Sequence, residues 1–238
     1  MKGSFFEGIG SMGLAVLVAL SIRWLLIEAY VIPSGSMLPS LLIHDHIFVN
    51  KIVYGVRIPF GKTWILNFTE PERNDVIVFR FPRDESTYFI KRVIGIPGDK
   101  VFYENGQLYI NDQLAAHSDA TRPEDFEWVR DFELPGGKSD YEFYDESIDG
   151  KSHSTLKRRG DSSRGSWGPE EIPEGFLFVM GDNRDNSNDS RGWGFVPKEN
   201  VLGKAMFVWL SCDDVLPTLT FLCDPREIRW KRLFHWIE

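Results

Sequence analysis

The sequence is poor in cysteine and in positive charge, and both shortages restrict what the chain can be. Of its 238 residues only two are cysteines, Cys212 and Cys223, which are too few for the usual structural zinc sites. The formal net charge is −8, whereas a general nucleic-acid binder carries a basic face or stripe. We therefore expect no nucleic-acid partner. The two cysteines either pair as a disulfide or remain buried thiols.

Histidine is also scarce where hydrolytic chemistry would need it, since the five histidines are scattered and show no triad signature. His44 and His46 could lie on one strand face as metal ligands do, but no third ligand stands nearby, so we interpret them as surface or structural residues. The polar run 181–191 resembles a calcium loop, yet its arginines and its lack of a terminal glutamate do not fit the EF-hand pattern. We predict neither a metal site nor a cofactor.

Long apolar runs are rare as well, with one exception near the N-terminus. Residues 5–26 are almost all apolar or small, and a helix of that length crosses a hydrocarbon core of roughly 30 Å. Arg23 lies near the end of the run, where it can reach the membrane interface beside Trp24 and Tyr30. A cleaved signal peptide is the alternative, with a small-x-small site at 19–21. Because the apolar run continues beyond that site, we expect an uncleaved anchor with a cytoplasmic N-terminus.

Beyond this run, short apolar segments alternate with turn signals, which is typical of a mainly β fold with antiparallel sheets. The strand candidates are 47–49, 76–79, 88–94, 107–110, 176–180 and 205–210. The pair Asn105-Gly106 predicts a hairpin turn. Residues 112–172 are acidic and weakly periodic, so we interpret them as an inserted β/loop lobe with a solvated acidic surface. The predicted regions are a stub and transmembrane anchor in 1–28, a main β domain in 29–111 and 173–238, and this lobe.

Two segments carry residues suited to nucleophilic chemistry. The run 33–37 directly follows the apolar segment, and its proline and glycine favour a kinked loop that presents the hydroxyls of Ser34 and Ser36. In the strand candidate 88–94, alternation places Lys91 on one face with apolar neighbours. An amine buried among apolar groups can be neutral near pH 7 and act as a general base. A lysine on an apolar strand is more often an edge or snorkelling residue than a general base. The other motifs of the chain therefore decide between these two interpretations of Lys91.

Together these residues resemble the bacterial type I signal peptidases, which are membrane-anchored serine peptidases with a Ser-Lys dyad. Five motifs follow in the order of that family, at 33–39, 49–55, 73–79, 90–99 and 181–197. A few positions depart from the usual pattern, namely Ala29-Tyr30, Ser40 and His44. None of them removes a catalytic group.

The resemblance implies Ser36 as the nucleophile and Lys91 as the general base of a catalytic β domain. It implies that Ser34 joins the Ser36 backbone N–H in an oxyanion hole. Further roles that it implies are orientation of the lysine by Ser187, support of the site by Asp189 and Arg191, and substrate pockets lined by Ile32 and Ile90.

The substrate implied by the resemblance is the signal-peptide junction of a secreted preprotein with small residues at positions −1 and −3. Cleavage would take place on the periplasmic or extracytoplasmic side of the bacterial inner membrane, on a single-pass enzyme that needs no cofactor. The lipid bilayer and the secretion translocon are the other partners implied.

Two other functions stay open at this point. One is another Ser-Lys peptidase, such as a self-cleaving repressor, although the chain offers no DNA-binding segment. The other is a membrane-tethered β domain that binds a partner without catalysis. The tail 226–237 mixes basic and aromatic residues, and it either contacts a bilayer interface or packs on the domain.

Overall fold

The structure is a computed structural model that describes residues 10–16, 26–58, 61–160 and 166–237. Residues 10–16 are helical and are named α1. Within these ranges no helix is both long enough and apolar enough to cross a membrane. Most of the predicted anchor, including Arg23 and Trp24, lies outside the described residues, so the anchor stays a prediction.

Strands dominate the rest of the described chain, as the alternation of apolar segments and turns predicts. The strands are β1 (Ile27–Val31), β2 (Asp45–Asn50), β3 (Gly55–Arg57), β4 (Trp64–Asn67), β5 (Val76–Phe81), β6 (Asp84–Gly95), β7 (Lys100–Glu104), β8 (Gln107–Ile110), β9 (Gln113–Leu114), β10 (Ala116–Asp119), β11 (Tyr141–Ile148), β12 (Lys151–Arg158), β13 (Trp167–Glu171), β14 (Phe176–Met180), β15 (Val196–Pro197), β16 (Val201–Ser211), β17 (Val215–Leu216), β18 (Leu219–Cys223) and β19 (His235–Trp236). The helices are α2 (Pro123–Glu127) and α3 (Ser190–Trp193), with 3-10 turns at Gly35–Met37, Asp131–Glu133, Lys138–Asp140, Lys198–Asn200 and Trp230–Arg232.

The main sheet has the strand order β1-β2-β16-β5-β6-β14-β15, with β19 paired to β16, and its pairs are antiparallel. All six predicted strand segments lie within strands, which confirms the mainly β prediction. The predicted hairpin is confirmed too: Glu104 pairs with Gln107, and Asn105 and Gly106 both have positive φ, as a type I′ turn requires.

Smaller antiparallel sheets surround the main sheet. One has the order β10-β11-β12, another has the order β13-β7-β8-β9, and the hairpins β3-β4 and β17-β18 stand apart. The residues 112–172 thus form one sheet of their own and add β9 and β13 to the sheet built on β7 and β8. The boundaries proposed for the lobe stay a prediction.

Both faces of the main sheet are covered near its centre. On β5, Val76 and Val78 belong to one apolar cluster, whereas the alternate residues Ile77 and Phe79 belong to another. A strand that is buried on both faces has no side open to solvent. On the neighbouring strand β6, polar residues are therefore buried whichever face of the sheet they point to. This explains why two successive charged residues of β6 are buried, as described below.

The acidic residues of the predicted lobe are not all solvated, and the sequence-based expectation is wrong for Asp125, Asp145 and Glu146, which are buried. Each of them has a partner that replaces water. Glu146 accepts two hydrogen bonds of 2.6 Å from Arg184, and Asp145 accepts hydrogen bonds from Thr121 and Ser154. Asp125 lies 3.6 Å from Arg232. Burial of a carboxylate is tolerated where such partners exist.

The C-terminal tail packs on the domain. Arg232 is completely buried, donates a 2.6 Å hydrogen bond to the carbonyl of Ser40 and pairs with Asp45 at 2.9 Å. The aromatic side chains of Trp230 and Phe234 are nevertheless exposed, so contact with a bilayer stays a prediction. Cys212 and Cys223, the two residues left open as thiols or a disulfide, are joined as a disulfide.

Candidate active site

Ser36 lies in the 3-10 turn that follows β1, and this turn is fixed from both sides. Met37 and Leu38 are fully buried and anchor its end in the core. On the other side, the backbone N–H of Asn183 donates to the carbonyl of Ser36 at 3.2 Å, and its side-chain amide donates to the carbonyl of Gly35 at 2.9 Å. The turn therefore presents the Ser36 hydroxyl from a rigid support.

Lys91 reaches this hydroxyl from β6. Its Nζ lies 2.6 Å from the Oγ of Ser36 and 2.9 Å from the carbonyl oxygen of Ile90, and the residue is 4% exposed. Burial lowers the pKa of the Lys91 amine to about 8, and the negative charges of Asp189 and Asp182 oppose this shift only in part. A large fraction of the amine is therefore neutral at mildly alkaline pH, and a neutral amine can accept the Ser36 proton.

Ser34 stands beside the same hydroxyl. Its Oγ lies 3.5 Å from the Oγ of Ser36, and its side chain is exposed. This distance is at the outer limit of a hydrogen bond, so the two hydroxyls are neighbours without a strong mutual bond. The Ser34 hydroxyl is thereby available to a negatively charged oxygen that forms next to Ser36.

The loop between β14 and α3 supplies a buried carboxylate behind the pair. Asp189 accepts hydrogen bonds from Arg191 at 2.9 and 2.8 Å, from the backbone N–H of Gly181 at 3.1 Å, and from the Ser187 hydroxyl. Burial alone would raise the pKa of Asp189, but Arg191 and these donors hold it below its usual range. The carboxylate is thus charged and fixed in place. Ser187, expected to orient the lysine, makes its identified hydrogen bond to Asp189.

Gly181 allows this loop to close on the nucleophile. A Cβ atom at this position would stand 2.3 Å from the Oγ of Ser187 and 2.3 Å from the carbonyl oxygen of Ser36. The second atom belongs to the backbone and cannot turn away. Any larger residue would therefore displace the turn that carries Ser36.

Sequence reasoning missed a second buried pair. Arg92 follows Lys91 on the opposite face of β6. It is also completely buried, and it binds Asp182 through hydrogen bonds of 2.9 and 2.7 Å. Its remaining donors reach the carbonyl of Asn74 at 3.0 Å. The many polar residues of the run 181–191 do indicate a hydrogen-bonded loop. They do not indicate which side chain each of them binds.

Ile32 directly follows β1, four residues before Ser36, and Ile90 lies within β6, next to Lys91. Ile32 is buried in an apolar cluster, and Ile90 packs against the same cluster while partly exposed. Further from Ser36 along these strands, the rings of Tyr30 and Tyr88 meet edge to face with centroids 6.2 Å apart. The outer halves of β1 and β6 therefore border a shared groove, whose lining includes Glu28, Tyr30 and Tyr88.

His44 and His46 have their contacts elsewhere in the described structure. The ring of His44 lies 3.3 Å from the carbonyl oxygen of Asp213, and buried His46 contacts the sulfur of Cys223 at 3.5 Å. The donor atoms of His46, Cys212 and Cys223 do converge within 4.8 Å. Because the two sulfurs are bonded to each other, they are not thiolates, which is the form that binds metals.

A serine hydroxyl held against a buried amine of lowered pKa, on a mainly β scaffold, is the arrangement of a serine peptidase. The sequence profile of the family described as "Signal peptidase, peptidase S26" matches residues 5–210. The chain belongs to this family of signal peptidases.

Individual relatives agree with this membership. The signal peptidase I of Pseudomonas aeruginosa is 39% identical over 211 residues, which cover 83% of this chain and 69% of the relative. The signal peptidase I of Rickettsia felis is 37% identical over 216 residues, which cover 85% of this chain and 78% of the relative. The crystal structure of a signal peptidase I from Enterococcus faecalis is 28% identical, covers 58% of this chain and 98% of that chain, and has a TM-score of 0.35.

Proposed function

We propose that this signal peptidase I cleaves signal peptides from preproteins with Ser36 as the nucleophile and Lys91 as the general base. The observation that carries the proposal is the 2.6 Å distance between the two side chains, combined with the burial that lowers the pKa of the lysine to about 8. Without an adjacent base, a serine hydroxyl is a weak nucleophile at neutral pH. Lys91 is the base within reach.

The reaction follows from this geometry. Neutral Lys91 takes the proton of Ser36 while the Oγ attacks the carbonyl carbon of the scissile bond. The Ser34 hydroxyl and the Ser36 backbone N–H stabilise the negative oxygen of the tetrahedral intermediate. The lysine ammonium then gives its proton to the leaving amine, and an ester on Ser36 remains. A water that Lys91 deprotonates hydrolyses this ester and frees Ser36.

The surrounding loop acts as a support for the two reacting residues. Asp189, fixed by Arg191 and bonded to Ser187, places a negative charge near the lysine, which stabilises its protonated form during the reaction. Ser187 and Gly181 bring this support against the turn of Ser36. We assign Ser187, Asp189 and Arg191 to positioning and electrostatic support of Lys91.

The substrate path follows two free strand edges. Among the described strands, β1 is the first strand of the main sheet and pairs only with β2. The pairing of β6 with β14 reaches Arg92 and does not extend to earlier residues of β6. An extended peptide can add its backbone to such edges. Ile32 and Ile90 then lie where the side chains at positions −1 and −3 would point, and shallow pockets there favour small residues.

The chain organisation fits action at a membrane surface. The apolar run 5–26 serves as a single anchor in the inner membrane, followed by a catalytic domain in 29–111 and 173–238 and a non-catalytic lobe in 112–172, both on the periplasmic side. Since an anchored enzyme and a membrane-bound preprotein share one plane, their effective concentration is raised. A translocon that delivers the preprotein would be a neighbour in that plane.

The test is cleavage of a preprotein with an Ala-X-Ala junction by the full chain in detergent. Ser36→Ala and Lys91→Met should each reduce kcat/KM by at least about 10³-fold, and the double variant should be no worse than the singles. Ser86→Ala and Lys100→Met, at exposed positions of the same residue types, should retain activity. Full activity of a folded Ser36→Ala or Lys91→Met variant would refute the dyad.

A further inference from the structure

A second cavity, separate from the Ser36 site, lies at the outer end of the groove. It has a volume of about 370 Å³, which falls within the range of ligand sites of roughly 300–1,000 Å³. Its walls come from β1, the residues 51–52 that follow β2, β3 with the turn after it, and single residues of β5, β6 and β16. The polar side chains of these walls are Glu28, Tyr30, Lys51, Arg57, Arg80 and Tyr88.

The charge of this cavity is opposite to that of the chain. Three of its side chains are cationic and one is a carboxylate, so the lining carries +2 within a protein of net charge −8. The carboxylate, Glu28, is already engaged, since it pairs with Lys51 at 3.1 Å and accepts a 3.0 Å hydrogen bond from Tyr30. The charges of Arg57 and Arg80 are not balanced by any carboxylate of the lining.

Arg57 lacks acceptors for its donors. Its three guanidinium nitrogens are shielded from solvent, and none has a hydrogen-bond partner among the described residues. Its neighbour is the ring of Trp64, 3.9 Å from the guanidinium carbon, which offers a cation–π contact but no acceptor. Burial, and secondarily the nearby charge of Arg80, lowers the pKa of Arg57 to about 10. Donors that are buried without acceptors cost free energy, and an entering anion would supply the missing acceptors.

We propose that this cavity binds the phosphate of a phospholipid headgroup between Arg57 and Arg80. A guanidinium matches two phosphate oxygens with two parallel N–H groups, and this geometry makes arginine the preferred residue for phosphate. Arg57 lines the cavity, and its long side chain would turn its N–H edge toward a bound phosphate. Tyr30 and Tyr88 close the side toward Ser36, so a bound phosphate does not occupy the scissile position.

The surroundings favour a lipid over a soluble phosphate. Ile58 lines the cavity and is 46% exposed, and on the adjoining hairpin Ile65 and Leu66 are 57% and 55% exposed. Apolar side chains that project beside a cationic pocket suit the boundary between headgroups and acyl chains. Glu28 also lies two residues after the end of the proposed anchor, which would hold the cavity at the membrane surface. The phosphate site itself depends on the arginines and not on the anchor.

The test is isothermal titration of the full chain in nonionic detergent with dihexanoyl-phosphatidylglycerol and, separately, with inorganic phosphate. We expect the lipid to bind, and Arg57→Gln and Arg80→Gln each to weaken its binding by about tenfold or more. Arg57→Lys, which keeps the charge but loses the two-pronged geometry, should also weaken binding. The control Lys100→Gln removes an exposed cation on β7 and should bind like the wild type.

Each outcome decides the proposal. If the lipid does not bind the wild type, or binds both arginine-to-glutamine variants as tightly as the wild type, the site is refuted. If inorganic phosphate binds as tightly as the lipid and competes with it, the arginine pair is a phosphate site but the lipid assignment is wrong. The Ser36→Ala variant should bind the lipid normally, and folded Arg57→Gln should still cleave a soluble peptide, so that failure here and failure of the dyad are distinguishable.

Discussion

The Lys91 amine and the Ser36 hydroxyl lie 2.6 Å apart although 55 residues separate them along the chain. The amine comes from a strand inside the main sheet, and the hydroxyl comes from a turn held by Asn183. The distance between Ser36 and Lys91 therefore depends on three segments that are far apart in the sequence. Substitutions in any of them act on the same step of the reaction.

The pH dependence of cleavage should report the ionisation of Lys91. Because only the neutral amine can accept the Ser36 proton, and burial lowers its pKa to about 8, kcat/KM should fall as the pH falls through this value. Below it we expect a loss of about tenfold per pH unit. The measurement is kcat/KM on a soluble peptide from about pH 5 to 9, and a flat acid limb would contradict the role of Lys91.

The same buried amine should weaken the fold. The folded pKa of Lys91, about 8, lies below the ordinary lysine value of 10.5. Burial of the charged amine therefore costs nothing above pH 10.5, costs more as the pH falls between these values, and has its full cost below pH 8. Lys91→Met should therefore raise the free energy of unfolding at pH 7, by up to about 3 kcal/mol.

Chemical unfolding of the full chain in detergent, for wild type and Lys91→Met, measures this gain. The gain should shrink by about 1.4 kcal/mol per pH unit between pH 8 and 10. Lys100→Met removes an exposed amine and should show no such dependence. A gain that is independent of pH would mean that the amine is not responsible.

Removal of the Ser34 hydroxyl should affect the chemical step more than binding. Ser34 lies 3.5 Å from the Oγ of Ser36, where it can stabilise the oxyanion but makes no strong bond in the resting enzyme. We expect Ser34→Ala to reduce kcat by about 10²–10³-fold with little change in KM. Ser34→Thr, which keeps a hydroxyl, should restore most of the activity. If steady-state kinetics show an unchanged kcat for Ser34→Ala, another donor fills this role.

A methyl group at Gly181 should displace the nucleophile. Its Cβ would stand 2.3 Å from the Ser36 carbonyl oxygen, and a shift of about 1 Å at a reacting group costs about 10²-fold in rate. We therefore expect Gly181→Ala to lose at least this factor in kcat/KM and to melt at a lower temperature. Gly192→Ala is the matched control, since its Cβ meets only the Asn188 side-chain oxygen at 3.3 Å. Equal activity of the two variants would show that the turn tolerates the shift.

The ion pair of Arg92 and Asp182 should be costly to break on one side. Both side chains are completely buried, so Asp182→Asn leaves an uncompensated guanidinium and should destabilise the protein by about 3–5 kcal/mol. The double variant Arg92→Met with Asp182→Leu should recover much of this loss because no buried charge remains. Thermal unfolding of the three proteins measures the coupling. If the single and double variants are equally destabilised, the pair contributes through packing and not through charge.

Local sequence signals were enough to locate six of the nineteen described strands, the hairpin at Asn105-Gly106 and the buried face that carries Lys91. These features depend on neighbours a few residues away, through alternation and turn chemistry. The order of the five motifs predicted that Ser36 pairs with Lys91. The alternation of apolar and polar residues alone does not predict this pair.

The missed features all depend on partners that are distant in the chain. Arg92 appears as an ordinary charged strand residue until Asp182, 90 residues later, is placed against it. Glu146 belongs to an acidic stretch that looks solvated, and only Arg184 explains its burial. The cavity of Arg57 was likewise invisible, since β1 and β6 approach each other through the curvature of the sheet.

The burial of Arg232 has a consequence for biosynthesis. Ser40 and Asp45, which bind Arg232, precede it by 192 and 187 residues and so leave the ribosome long before it. At about 5–20 residues per second, the interval is roughly 10–40 s. During this time the segment just after the nucleophile lacks its buried cation. The segment just after Ser36 therefore gains this support only after residue 232 has been synthesised, and a shorter nascent chain lacks the buried contacts of Arg232 with Ser40 and Asp45.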